Sequence, residues 1–86
     1  MSLSSDQFKT YNKMVRDISK VYKGSRFNHF GLSGDTMQVN VTVSKFIPDD
    51  KKRSITDIFK ENGMKKIKEI YQPGSGSGII IQGVDK

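Results

Sequence analysis

The sequence has no cysteine, no tryptophan, one histidine and two prolines. Without cysteine there can be no disulfide, no thiolate metal site and no cysteine nucleophile. The single imidazole, His29, cannot build a multi-histidine metal centre within one chain. No apolar run approaches the roughly 18 residues needed to span a bilayer. Met1-Ser2-Leu3-Ser4 lacks the basic and apolar regions of a secretory leader. Together these absences lead us to expect a soluble, cytoplasmic protein.

Catalytic constellations are also missing. There is no histidine–nucleophile pair, no G-x-S-x-G and no H-E-x-x-H. Asp49-Asp50 is the one carboxylate pair, and after Pro48 it reads as a turn former. A Mg²⁺ site there would need further carboxylates, such as Asp57 or Glu61. The expectation is a non-enzymatic protein that needs no cofactor.

Acid is scarce as well: nine Asp and Glu stand against fifteen Lys and Arg, for a net charge of +6. The isoelectric point, near 9.7, favours polyanions such as nucleic acid, an anionic membrane or an acidic protein face. With 86 residues, 34% of them apolar, the chain can build one modest two-layer core and no second one.

Ser4-Ser5-Asp6-Gln7 is a capping box, in which Ser4 and Gln7 satisfy each other's backbone N–H groups. Leu3 and Phe8 occupy the positions of a hydrophobic staple, and Gly24 is a left-handed stop. The spacing predicts a helix over residues 5–23. Met37, Val39, Val41 and Val43 alternate with polar residues, the period-two pattern of a half-buried strand. Arg26 to Leu32 pairs with it through Ser33-Gly34-Asp35. If Gly34-Asp35 is a two-residue turn, Phe30 and Leu32 enter the core. Phe27, His29, Gln38, Asn40 and Thr42 then share the other face.

Pro48-Asp49-Asp50 ends that strand, and Lys51-Lys52-Arg53 reads as an exposed basic bend. Ser54 caps a short helix with Ile55, Ile58 and Phe59 on its apolar edge, stopped by Asn62-Gly63. Met64 to Tyr71 fits either period, but the Asn-Gly stop favours a strand. Ile79-Ile80-Ile81 is a strand core, and a flexible Gly/Ser loop at 73–78 joins the two. That loop has no Lys-Ser/Thr after it, so it is not a Walker phosphate loop. Its strict alternation also matches an engineered linker.

The fold class expected is α+β, two-layer, helix–hairpin–helix–hairpin (αββαββ). Its four-stranded, mainly antiparallel sheet is covered on one face by two helices. One domain spans 1–86, with an N-terminal tail at 1–4.

The first helix carries the sharpest functional signal. Phe8, Tyr11, Met14, Val15, Ile18, Val21 and Tyr22 fall within an arc of roughly 140°. Lys9, Lys13, Arg16, Lys20 and Lys23 fall within an opposite arc of roughly 80° that contains no acid. Like charges at this spacing repel by a few tenths of a kcal/mol per close pair. A polyanion relieves that repulsion and gains from counterion release. A lysine-rich face that simply meets water is the competing reading.

The expected function is therefore backbone-directed nucleic-acid binding through this row, supported by Lys51, Lys52 and Arg53. Lys65-Lys66-Lys68 is a further basic cluster. Phe27, His29 and Asn40 are candidate contacts on an open sheet face. The alternative is a protein–protein interaction module or small regulatory subunit, pairing with a protein partner or as a homodimer through this face or the Ile79–Ile81 edge. Anionic membrane binding is weaker, because so small a domain needs the apolar arc for its core.

Overall fold

The computed structural model describes residues 3–72 and 78–86. The elements, in chain order, are α1 (Ser5–Val21), β1 (Arg26–Leu32), β2 (Thr36–Ser44), α2 (Asp49–Glu61), β3 (Lys66–Tyr71) and β4 (Gly78–Val84). The strands form one sheet in the order β1-β2-β4-β3, every neighbouring pair antiparallel, so Ile79–Ile81 lie on an interior strand paired on both sides and not on the exposed edge expected from the sequence. The molecule is thus α+β, with two helices against a four-stranded antiparallel sheet.

Both helices lie on the same face of the sheet. Met37, Val39, Val41 and Val43 of β2 and Ile79 and Ile81 of β4 point toward them. Met14 and Ile18 of α1 and Ile55 and Phe59 of α2 fill the layer between, with Ile47 and Met64 closing its ends. This core holds no polar or charged residue. The period-two pattern of β2 and the helical spacing of α1 each present one continuous apolar face, so their burial against each other follows directly.

The capping box forms as expected. The Gln7 N–H donates to Ser4 Oγ at 3.1 Å, and the Ser4 N–H donates to Gln7 Oε1 at 2.9 Å. Leu3 packs against the core, and Phe8 leans on His29. The end of α1 differs from expectation. The helix stops at Val21, Tyr22 is extended (φ −148°), and Gly24 is not left-handed. A serine turn ends it instead: the Ser25 N–H and Oγ–H both donate to the Tyr22 carbonyl. Lys23 consequently lies beyond the helix.

The start of α2 also differs. It begins at Asp49, not after Ser54, with Pro48 as its N-cap residue. Proline has its φ already fixed, and Asp49 and Asp50 complement the positive end of the helix dipole. Ser54 Oγ–H donates back to the Asp50 carbonyl at 3.0 Å, as a mid-helix serine does. Lys51, Lys52 and Arg53 are therefore helical, not a bend. The Asn62-Gly63 stop is a Schellman turn. Gly63 has φ 84°, its N–H donates to the Lys60 carbonyl, and the Met64 N–H donates to the Phe59 carbonyl at 3.0 Å.

The first hairpin carries the most consequential correction. Its connection is three residues, Ser33-Gly34-Asp35, with Gly34 at φ 70° and Asp35 at φ 56°. Leu32 pairs with Thr36 rather than Met37. A shift of one residue turns every β1 side chain over. Phe27 and His29 therefore face the helices, and Phe30 and Leu32 leave the core for the open face. Of the residues from Met64 to Tyr71, Lys66–Tyr71 form strand β3, whereas Met64 completes the turn after α2. The Gly/Ser loop lies, but for Gly78, outside the described residues.

Candidate anion-binding surfaces

Two surfaces carry exposed positive charge, one on each side of the molecule. The first is the outer face of α1. Met14 and Ile18 anchor the helix to the sheet, which turns Lys9, Lys13, Arg16 and Lys20 to solvent, all exposed. Arg16 is 65% exposed, and its Nε lies 3.5 Å from Asp17 Oδ1. The three lysines take part in no ion pair among the described residues. From Lys9 to Lys20 the row runs about 17 Å along the helix axis.

The basic triplet of α2 is split. Lys51 and Arg53 are exposed, whereas the Lys52 side chain is only 19% exposed. Lys52 Nζ lies 3.5 Å from Glu69 Oε2 and 3.8 Å from Asp49 Oδ1, tying α2 to β3. Burial lowers the Lys52 pKa, but Glu69, Tyr71 and Asp49 outweigh that and hold it above the ordinary ammonium range. Lys52 is therefore a structural cation. The fold brings the rest together at one end, because α1 finishes where β1 starts and α2 starts where β2 finishes. Lys20, Lys23, Lys45 and Lys51 all belong to segments at that end.

The second surface is the sheet face away from the helices. Register assigns its cross-strand rows. Arg26, Thr42, Ile80 and Ile70 form one; Asn28, Asn40, Gln82 and Lys68 the next; Phe30, Gln38, Val84 and Lys66 a third. Leu32 and Thr36 extend it at the hairpin end, and Ser44 and Gly78 at the other. No acid occupies any of these positions. Glu69, the one acid within a strand, points to the helix side and meets Lys52. The face thus combines an amide centre, one exposed aromatic and cations on both edge strands.

Of the three sheet-face candidates, Asn40 lies on the open face, where it accepts from Gln38 Nε2 at 3.3 Å. Phe27 packs against the core from the helix side. His29 sits edge-on to Phe8 and Tyr11, at centroid distances of 5.5 and 4.6 Å. Burial pushes the Tyr11 hydroxyl pKa up. Phe27 is thus half-buried under α1, and His29, though exposed, lies on the helix side against α1 rather than on the open face. Arg26, Asn28, Phe30, Gln82, Lys66 and Lys68 take their place, and sequence reasoning missed them as one surface. A signal was present: Ser33-Gly34-Asp35 has three turn-forming residues, and a three-residue loop reverses the parity of β1. Phe46 was missed too. It is 81% exposed, with Lys45 Nζ 5.3 Å from its ring centre.

Beyond these surfaces, a polar clamp closes the other end. Asp85 Oδ1 accepts from the Met37 N–H at 2.8 Å, and Gln7 Nε2 donates to both Asp85 Oδ2 and the Asp35 carbonyl. Its partners are internal, which makes it structural. Among the described residues no three His, Cys, Asp or Glu side chains cluster as a metal would require. No helix among them is long and apolar enough to cross a membrane.

The fold and its surfaces define a small basic α+β protein with two cationic faces. No family model, curated protein or solved structure matches the chain.

Proposed function

We propose that this chain is a non-catalytic nucleic-acid-binding domain that contacts phosphates through the outer face of α1. The carrying observation is the row Lys9, Lys13, Arg16 and Lys20, all exposed and opposed by the single carboxylate of Asp17. Lys9, Lys13 and Lys20, which form no ion pair among the described residues, cost self-repulsion in the free protein and release counterions when they meet phosphates. Lys23, Lys51 and Arg53 continue the charge from the C-terminal end of α1, whereas Lys52 is held by Glu69. Such contacts fix orientation without reading sequence, so the expected binding is weakly sequence-specific.

The test is titration of duplex DNA at two salt concentrations, alongside heparin retention. The parent should bind with steep salt dependence. The triple variant Lys13→Glu, Arg16→Glu, Lys20→Glu should lower the salt slope by about 2.7 if each residue neutralises one phosphate. Its circular dichroism should remain that of the parent. Equal retention of variant and parent would remove α1 from the interface.

A second reading is a protein-interaction module that associates through the open sheet face. Phe30, 46% exposed, and Leu32 beside it favour this reading. Light scattering at low and high salt separates the two, because an apolar contact survives salt and a phosphate contact does not.

A further inference from the structure

We infer that the open sheet face is a second binding surface and that its ligand is single-stranded nucleic acid. The inference rests on the polyanion reading of the domain and names the form of nucleic acid that the other side of the molecule would take.

Three properties of the face point to this ligand. First, its charge has one sign. Lys66 and Lys68 stand on one edge strand and Arg26 on the other, with no acid between them. The edges are separated by three inter-strand steps, about 14 Å. Second, its centre is amide-rich. Asn28, Asn40 and Gln82 form one cross-strand row with Lys68, and each amide offers a donor and an acceptor to a base edge. Third, Phe30 lies beside that row, 46% exposed, its ring available for stacking. Unstacked bases are recognised by this combination of an aromatic platform, amide groups and flanking cations. A duplex, with its bases stacked inside, could offer the face only its phosphates.

The same properties argue against a second copy of the chain. A symmetric face-to-face dimer would set an acid-free cationic surface against itself. A strand spanning the sheet from Phe30 toward Lys66 and Lys68 would instead place negative charge beside those two lysines. A sheet of this width accommodates about two to four nucleotides.

The experiment uses the full chain and a fluorescein-labelled oligothymidylate of about twelve nucleotides, read by anisotropy at two salt concentrations. Phe30→Leu keeps apolar bulk but removes the stacking ring, and should weaken binding about tenfold. Phe30→Tyr should bind as the parent does. Lys66→Glu with Lys68→Glu should weaken binding further and lower the salt slope by about 1.4. The triple α1 variant separates the two surfaces, since it should weaken duplex binding more than oligothymidylate binding.

If Phe30→Leu and the Lys66/Lys68 pair, both folded by circular dichroism, bind the oligonucleotide as the parent does, the inference is overturned. The α1 reading would then stand alone if the triple variant loses binding. A parent that binds no oligonucleotide and forms a salt-resistant dimer abolished by Phe30→Leu would also overturn it, in favour of a protein occupant. Loss in the sheet variants together with full duplex binding by the triple variant would support the sheet face and overturn the α1 reading.

Discussion

At Gly83 the Phe59 ring of the second helix packs directly on the backbone of the sheet. A β-carbon there would lie 2.5 Å from Phe59 Cδ2 and 3.1 Å from Met64 Cβ. Phe59 is fully buried and has nowhere to retreat. Gly83→Ala should therefore destabilise the protein by about 1–3 kcal/mol, read as a lower urea midpoint. Asp85 acts at the other scale of bonding, through hydrogen bonds. Its carboxylate satisfies the Met37 N–H and Gln7 Nε2 at once, and its own N–H donates to the Met37 carbonyl. Asp85→Ala removes the two acceptors but not the backbone bond, so a loss of about 1–3 kcal/mol is expected by the same measurement. Neither effect could be read from the sequence. Gly83 looks there like a weak point in a strand, and Asp85 like a terminal polar residue.

At the scale of the element, α2 is held to β3 by charge as well as by packing. The pKa of Lys52 is raised by Glu69, Tyr71 and Asp49 against the opposing effect of burial. Tyr11, packed between α1 and β1, has its hydroxyl pKa raised by burial. A group whose pKa is higher folded than unfolded stabilises fully below its unfolded pKa and loses that stabilisation as pH rises through the folded one. For both groups that window opens at about pH 10. Urea midpoints should therefore hold near pH 8 and fall above about pH 10. Lys52→Gln and Tyr11→Phe should each flatten that fall. A midpoint that rises with pH above 10 would contradict the assignment. The helices themselves were legible from the sequence to different degrees. The Ser4–Gln7 box and the Asn62-Gly63 stop are local chemistry, and both formed. The start of α2 was not, because Pro48-Asp49-Asp50 fits a turn and a helix N-terminus equally well. Within the added turn, the Lys52 N–H donates to the Pro48 carbonyl and the Lys52 side chain reaches Glu69 of β3, contacts that local propensity does not specify.

At the scale of the whole molecule, net charge opposes compactness. With +6 spread over 86 residues, self-repulsion should fall as salt screens it. Stability in urea is expected to rise by a few tenths of a kcal/mol between low and moderate NaCl. The triple α1 variant, six charges less positive, should show little of that rise. The sequence by itself determined the α+β class, the apolar faces of α1 and β2, and the exposed cation row on α1, because each is written in local spacing and one face of each element must be buried. Only the tertiary structure decided which side of β1 meets the helices, since Ser33-Gly34-Asp35 suits a two-residue or a three-residue connection and one extra residue in a turn inverts a strand of period two. It likewise decided that Arg26, Phe30, Lys66 and Lys68, far apart in the chain, share a surface without acid. A common face depends on strand order and register, which arise only when all four strands pair.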